Sequence, residues 1–275
     1  MEGCPEGCAA TADRSAGSLR VLSLNMLHGF PRYIDLQLRL DLIASEISRL
    51  DADVILLQEI PWTIWTGNGA KYLAEKIGYN YLYYRANGNN KLIFFEEGEA
   101  ILSRFPLKEM IFTELRPRAG FFESRVSLGA TAITPWGEVR LFVTHLTDKD
   151  PQVGEGQAET LRSFVEMHTE GIGVVAGDFN ALEGSPQIMD LAGVWMDTYR
   201  LAHPNDPGLT CCIDDLQSGP EEALEERIDY IFLVNQGKEG GEVIRSQHTF
   251  YHPFRVGEGW QWASDHTGLM VEIDP

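Results

Sequence analysis

Ile172-Gly173-Val174-Val175-Ala176-Gly177-Asp178-Phe179-Asn180 is an apolar run that stops on a carboxylate and an amide. A short apolar run of this kind reads as a buried strand. Gly177 permits a tight exit that a residue with a Cβ would resist. Asp178 and Asn180 then emerge at a strand end, where α/β enzymes carry their chemistry on loops. An acid beside a neutral donor suits phosphate chemistry: one handles water or metal, the other donates to a phosphate oxygen. Alone, an Asx pair after a strand is ordinary turn chemistry, since both side chains cap their own backbone. What the other strands end in decides its meaning.

Working outward, the same pattern recurs. Leu19 to Leu24 is a strand candidate that runs into Asn25. Asp53 to Leu57 is a second, followed by Gln58-Glu59. Val126 to Ile133 and Val139 to Thr144 flank Thr134-Pro135-Trp136-Gly137, a turn sequence, and read as a hairpin ending at His145. Ile228 to Val234 carries Asp229 inside an otherwise apolar strand, and a buried acid needs a partner. Ser264-Asp265-His266 precedes a last strand, Leu269 to Ile273. Ala100 to Leu102 and Lys108 to Leu115 look like a strand pair broken at Arg104-Phe105-Pro106. Tyr79 to Tyr84 and Val243 to Tyr251 complete the strands. Helices are expected over Leu36–Leu50, Ala70–Ile77 and Gln157–His168. A short fourth starts at Pro186, with Ser185 as its N-cap. Asp206 to Glu226 reads as a long loop. Strands outnumber helices and come in both hairpin and β-α-β order, which predicts mixed sheets with helices outside. No internal linker is evident, so residues 19–275 are expected to form a single domain behind a disordered lead-in over residues 1–18.

The residues at these strand ends make a coherent inventory. Glu59 and Asp265 are hard oxygen ligands suited to Mg²⁺ or Mn²⁺, and Asn25 can add a neutral oxygen. His145 and His266 can move protons near neutral pH. Asp178 can orient or deprotonate a water, and Asn180 can donate to a developing oxyanion. Asp229 can hold a histidine in one tautomer. Each has a bland reading as a turn former, a solvated strand end or a satisfied core polar group. Jointly, these are the parts of metal-assisted phosphoester hydrolysis.

Taken in order, Asn25, Gln58-Glu59, Ile101-Leu102-Ser103-Arg104, Thr144-His145, Gly177-Asp178-Phe179-Asn180, Arg227-Ile228-Asp229-Tyr230-Ile231 and Ser264-Asp265-His266 resemble the endonuclease/exonuclease/phosphatase superfamily. The likeness runs from about Leu22 to Val271. It implies a DNase I-like four-layer α/β sandwich, two mixed β-sheets packed face to face with helices outside. It implies a divalent metal, usually Mg²⁺, held by Glu59 with help from Asn25 and Asp265. Asp178 would position the attacking water and Asn180 would contact the phosphate. His266, oriented by Asp229, would stabilise the phosphoryl centre or relay protons, and His145 would serve the phosphate or the leaving group. Which histidine is the base stays open.

The substrate is less legible. The abasic-site enzymes of that superfamily carry an acid two positions after the first Asn; here the position is Leu27. Twenty-two basic residues against 41 acidic ones give a formal charge of −19. That disfavours a long polyanion, whose phosphates need successive Lys and Arg. A metal and a local basic patch can still reverse the field, so DNA or RNA is the rival to a small or lipid-like phosphoester. A catalytically inactive binding module is a remoter third reading. Arg125 is a candidate phosphate ligand or a structural ion pair, and His28 is a candidate cleft residue. The aromatics at Phe94-Phe95, Phe121-Phe122, Trp62, Trp65, Trp260 and Trp262 suit an apolar or sugar-like substrate or plain packing. No apolar run approaches the ~20 residues of a membrane span, and the N-terminus lacks the apolar centre of a secretory signal. Cys211 and Cys212 are neighbours that do not readily pair in ordinary geometry. Reduced thiols in a cytoplasmic protein are therefore the expectation.

Overall fold

The computed structural model describes residues 1–9, 17–120, 123–236 and 241–274. Its larger sheet runs β1 (Glu2–Cys4), β5 (Asn80–Asn89), β6 (Phe95–Ser103), β3 (Val54–Thr63), β2 (Leu19–Asn25), β16 (Gly268–Asp274) and β13 (Glu242–Thr249), with β4 (Gly67–Asn68) paired to β3. The second sheet runs β11 (Met196–Asp197), β12 (Asp229–Gln236), β10 (Gly171–Asp178), β9 (Gly137–His145), β8 (Val126–Thr134) and β7 (Leu107–Glu114). Both are mixed: β2 and β3 pair parallel, as do β9 and β10, among antiparallel neighbours. A short hairpin, β14 (Phe254–Val256) with β15 (Gly259–Gln261), stands apart.

Strand alternation sorts the apolar side chains into layers. Leu19 and Val21 of β2, Val54 and Leu56 of β3, Leu141 and Val143 of β9, and Val174 and Ala176 of β10 meet between the sheets. The opposite face of the larger sheet packs on α1 (Leu36–Leu50) and α2 (Gly69–Ile77). The opposite face of the second sheet packs on α3 (Pro151–His168) and α4 (Pro186–Ala192). A one-turn helix, α5 (Thr198–Ala202), follows β11. The order helices, sheet, sheet, helices is the expected four-layer sandwich.

Several expectations are corrected. β6 and β7 are not partners; Ser103 ends a strand of the larger sheet and Leu107 begins one of the second. The turn at Arg104-Phe105-Pro106 carries the chain between sheets. Glu2–Cys4 is ordered as a strand on β5, so the lead-in is structured there; residues 10–16 lie outside the described residues. The cysteines are paired as Cys4–Cys8 and Cys211–Cys212, not free. The Cys211–Cys212 peptide is cis, outside the ordinary trans geometry on which the expectation rested. Ser185 precedes α4 but makes no side-chain cap, and its Oγ has no partner among the described residues. Phe121 and Phe122 also lie outside the described residues.

Candidate active site

The site is the polar end of the layer between the sheets. Several strands that contribute an apolar side chain there contribute a polar one a step or two along the same face. Val143 is followed two positions on by His145, Ala176 by Asp178, and Ile231 is preceded by Asp229. Register aligns them: Asp178 pairs with His145 on β9 and with Asp229 on β12. Asn25 pairs with Gln58 at the ends of β2 and β3 in the facing sheet. A β-bulge between Leu57 and Ile60 and a left-handed backbone at Glu59 (φ 55°) break the alternation of β3 and re-aim Glu59. Gly177 is needed because the Thr144 carbonyl oxygen occupies the place a Cβ would take.

Asp178 is the hub. Its Oδ1 accepts from the Asn180 backbone at 2.8 Å and its Oδ2 accepts from Asn25 Nδ2 at 3.0 Å. His145 Nε2 lies 3.4 Å and His266 Nε2 3.8 Å from Oδ2. Burial, and then repulsion from Asp229, push its carboxyl above the usual range. The two histidines are driven apart. Burial would lower His266, but Asp229 at 2.8 Å from Nδ1, with Asp178 and Asp265, overrides it and holds the ring's pKa well above normal. His145 is pushed well below normal by burial and by Arg125. Their surroundings thus favour the charged form of His266 and the neutral form of His145.

Asn25 bridges the sheets through its nitrogen, donating to Glu59 Oε1 at 3.3 Å as well as to Asp178, while its oxygen accepts from Leu27 N. The amide nitrogen thus braces two carboxylates, and the oxygen carries a single hydrogen bond. Asn180 Nδ2 lies 3.0 Å from His145 Nε2 and donates to the Leu146 carbonyl at 2.9 Å, so it steadies the end of β9. Glu59 accepts from His28 N at 3.1 Å, with the His28 ring 3.5 Å away. Burial opposes its ionisation, but His28 and Asn25 more than offset this and hold it below its ordinary value. Asp265 accepts from Ser264 and is raised by burial and by Glu59. Arg125 pairs with Glu123 at 3.1 Å, the structural bond anticipated as one alternative, and its charge also acts on Glu97 and Asp178.

Three residues escaped the sequence reading. Arg39 of α1 is fully buried and donates to the carbonyls of Ile34, Met26, Leu27 and Ala263, tying the loops after Asn25 and before Asp265. Burial lowers it to about 10, against Asp265 and Glu59. Its signal was a charged residue on the apolar stripe of Leu36, Leu40, Ile43 and Ile47. Glu97 and Glu99 of β6 continue the inter-sheet face of Ile101 and are both buried. Burial raises both, and for Glu99 the charge on Glu97 adds to it.

The donor set fits a divalent cation on its chemistry. Glu59, Asp178 and Asp265 act on a common neighbourhood, and two of the three are held above their ordinary range. Asp178, Asp229 and His266 have ligand atoms within 4.8 Å of one another. In that trio the His266–Asp229 hydrogen bond already satisfies two members, so the oxygen groups of Glu59 and Asp265 are the better-suited ligands.

A two-sheet sandwich with carboxylates, histidines and amides gathered at one edge of the inter-sheet layer defines a class of phosphoester-processing folds. The chain belongs to the Endonuclease/Exonuclease/phosphatase family, whose sequence model matches residues 22–266. No curated protein sequence matches it. An endonuclease/exonuclease/phosphatase family protein from Bacteroides thetaiotaomicron is similar in structure, with TM-score 0.74, 20% identity, and coverage of 93% of this chain and 94% of that one. The mannosyl-6-phosphatase Bt3783 of the same organism has TM-score 0.73, 20% identity, and coverage of 93% and 99%. Humanized D. rerio TDP2 has TM-score 0.72, 16% identity, and coverage of 94% and 100%. At these identities the likeness speaks for the fold. No helix among the described residues is long and apolar enough to cross a membrane.

Proposed function

We propose that the protein is a divalent-metal-dependent hydrolase of a small-molecule or lipid-like phosphoester, with Mg²⁺ the expected ion and Mn²⁺ the substitute. The observation that carries this reading is the buried hub: Asp178 of the second sheet joined to Asn25 of the larger one and set between His145 at the end of β9 and His266 in the loop before β16. Glu59 and Asp265 would hold the metal, which supplies charge stabilisation to a phosphoryl oxygen. Asp178 orients the attacking water and takes its proton. His266, charged and fixed by Asp229, stabilises negative charge growing on the phosphoryl group. His145, whose neutral form burial favours and whose Nε2 Asn180 steadies, would serve the phosphate or the leaving group. Arg125 contributes positive charge for the phosphate. The formal charge of −19 favours a small substrate over nucleic acid. A panel of phosphodiesters, phosphomonoesters, lipid headgroups and oligonucleotides, each with Mg²⁺, Mn²⁺ or Ca²⁺, tests it. Metal-dependent turnover of the small esters is expected. Turnover of oligonucleotides alone would make it a nuclease, and turnover of nothing would make it a binding module.

A further inference from the structure

The mechanism uses Glu59, Asp178 and Asp265 but leaves two buried acids unexplained. Phe95, Glu97 and Glu99 alternate along β6 and so share one face, the face that Ile101 continues into the inter-sheet core. Glu99 is 1% exposed, and its Oε2 has no hydrogen-bond partner among the described residues. A buried carboxylate oxygen without a donor is costly, and such a cost marks a place where a ligand completes the site. Glu99 lies between Gly98 and Ala100, whose partners on β3 are Ile60 and Leu57, so it stands opposite the bulge that carries Glu59. Glu97 is partly served: Asn87 donates to its Oε1, and Arg125 acts on it. Arg125, however, is shared with Glu123 at 3.1 Å. Phe95, two positions before Glu97 on the same strand face, begins an aromatic cluster. Phe95 stacks on Phe30 with centroids 4.5 Å apart and meets the His28 ring at 5.1 Å, and His28 in turn contacts Glu59.

We propose that Glu99, with Glu97 and the Phe95–His28 cluster, forms a subsite for a primary ammonium group carried by the phosphoester. This rests on the phosphoesterase reading above and names its substrate class. An –NH₃⁺ group supplies what the two acids lack: N–H donors for the orphaned oxygen, and a positive charge that favours the ionised form which burial disfavours in both acids. A phosphate brings more negative charge to the centre, so the positive group belongs on the other ester arm. The aromatic faces add cation–π attraction. A quaternary ammonium offers the charge without the donors and fits less well.

The test compares 2-aminoethyl p-nitrophenyl phosphate with n-propyl p-nitrophenyl phosphate, which replaces –NH₃⁺ by –CH₃ at similar size. Bis(p-nitrophenyl) phosphate is run beside them. The wild-type protein should favour the aminoethyl ester in kcat/KM by on the order of tenfold or more. Glu99→Gln should bring that ratio close to one, whatever its absolute rates. A wild-type ratio near one, a ratio unchanged in Glu99→Gln, or turnover of the bis-ester with neither alkyl ester accepted overturns the subsite. Failure to turn over even the bis-ester with any metal instead overturns the phosphoesterase reading. If Glu99→Gln does not fold, Glu97→Gln takes its place. Inhibition of the wild type by 2-aminoethyl phosphate against n-propyl phosphate must then show the same preference.

Discussion

Asp178 touches a group from nearly every strand end of the site, so its replacement reads the whole constellation. Asp178→Asn keeps size and a hydrogen-bonding amide but removes the charge facing His266 and the acceptor for a water's proton. Turnover should fall about a thousandfold or more, with circular dichroism unchanged. His145→Ala should behave alike. Wild-type rates in either purified variant would remove both residues from the chemistry. Asp229 acts one step back: Asp229→Asn replaces the carboxylate that sustains the imidazolium at 2.8 Å, and should lower kcat more than it raises KM. His248 illustrates a residue whose titration concerns stability. It lies outside the site, on β13, and burial lowers it from 6.5 to about 4. Above pH 6.5 both folded and unfolded chains carry it neutral. As pH falls from 6.5 towards 4 only the unfolded chain gains the proton, so stability is lost across that window and no further below it. With partial exposure the loss is of order 2 kcal/mol. Urea midpoints at pH 7.5 and 5.0 should therefore converge in His248→Gln relative to the wild type; an unchanged gap would refute the assignment.

At the scale of elements, the close approach of β9 and β10 sets the positions of His145 and Asp178. Gly177→Ala forces a methyl against the Thr144 carbonyl, between a paired strand and its neighbour, where neither can retreat without moving a site residue. Chemical denaturation should show a loss of about 1–3 kcal/mol, and activity should fall with it; an unmoved midpoint would mean the strands are not so closely set. The same strand geometry explains what the sequence made legible. Period-two alternation carries a buried strand's face outward to its first polar residue, so Asn25, His145, Asp178 and Asp229 could be picked out from strand ends alone. Their convergence could not, because register and sheet assignment depend on non-local pairing. That is why β6 and β7, joined by a three-residue turn, look like partners and are not. Glu97 and Glu99 were missed although they obey the same alternation from Ile101, because three acids in Glu96-Glu97-Gly98-Glu99 read as solvent-facing. The partners of Asn25 and Asn180 were not legible either: which neighbours an amide's oxygen and nitrogen meet depends on groups such as Leu27 N and the Leu146 carbonyl, which no spacing reveals.

For the whole molecule, the dominant electrostatic fact is a strongly acidic chain whose acids also crowd the end of its inter-sheet layer. Folding brings Glu59, Glu97, Glu99, Asp178 and Asp265 from two sheets and their loops into one buried neighbourhood, and that juxtaposition costs stability the unfolded chain does not lose. A divalent cation taken up by the folded state relieves this repulsion, and linkage converts its occupancy into thermal stability: at a hundred times the Kd the gain is about 2.7 kcal/mol. For a chain of this size that corresponds to roughly 5 °C in Tm. Millimolar Mg²⁺ or Mn²⁺ should therefore raise the Tm of the chelator-treated protein, and NaCl matched in ionic strength should not, because screening alone does little for buried charges. In Asp265→Asn, whose carboxyl burial and Glu59 hold above its ordinary range, the baseline Tm should stay level or rise, since one repelling charge is gone, while the cation-dependent increment shrinks. Those opposite movements separate a metal ligand from a structural carboxylate, whose loss would lower the baseline and leave the increment intact. A wild-type Tm indifferent to both metals would place the acidic cluster outside metal chemistry altogether.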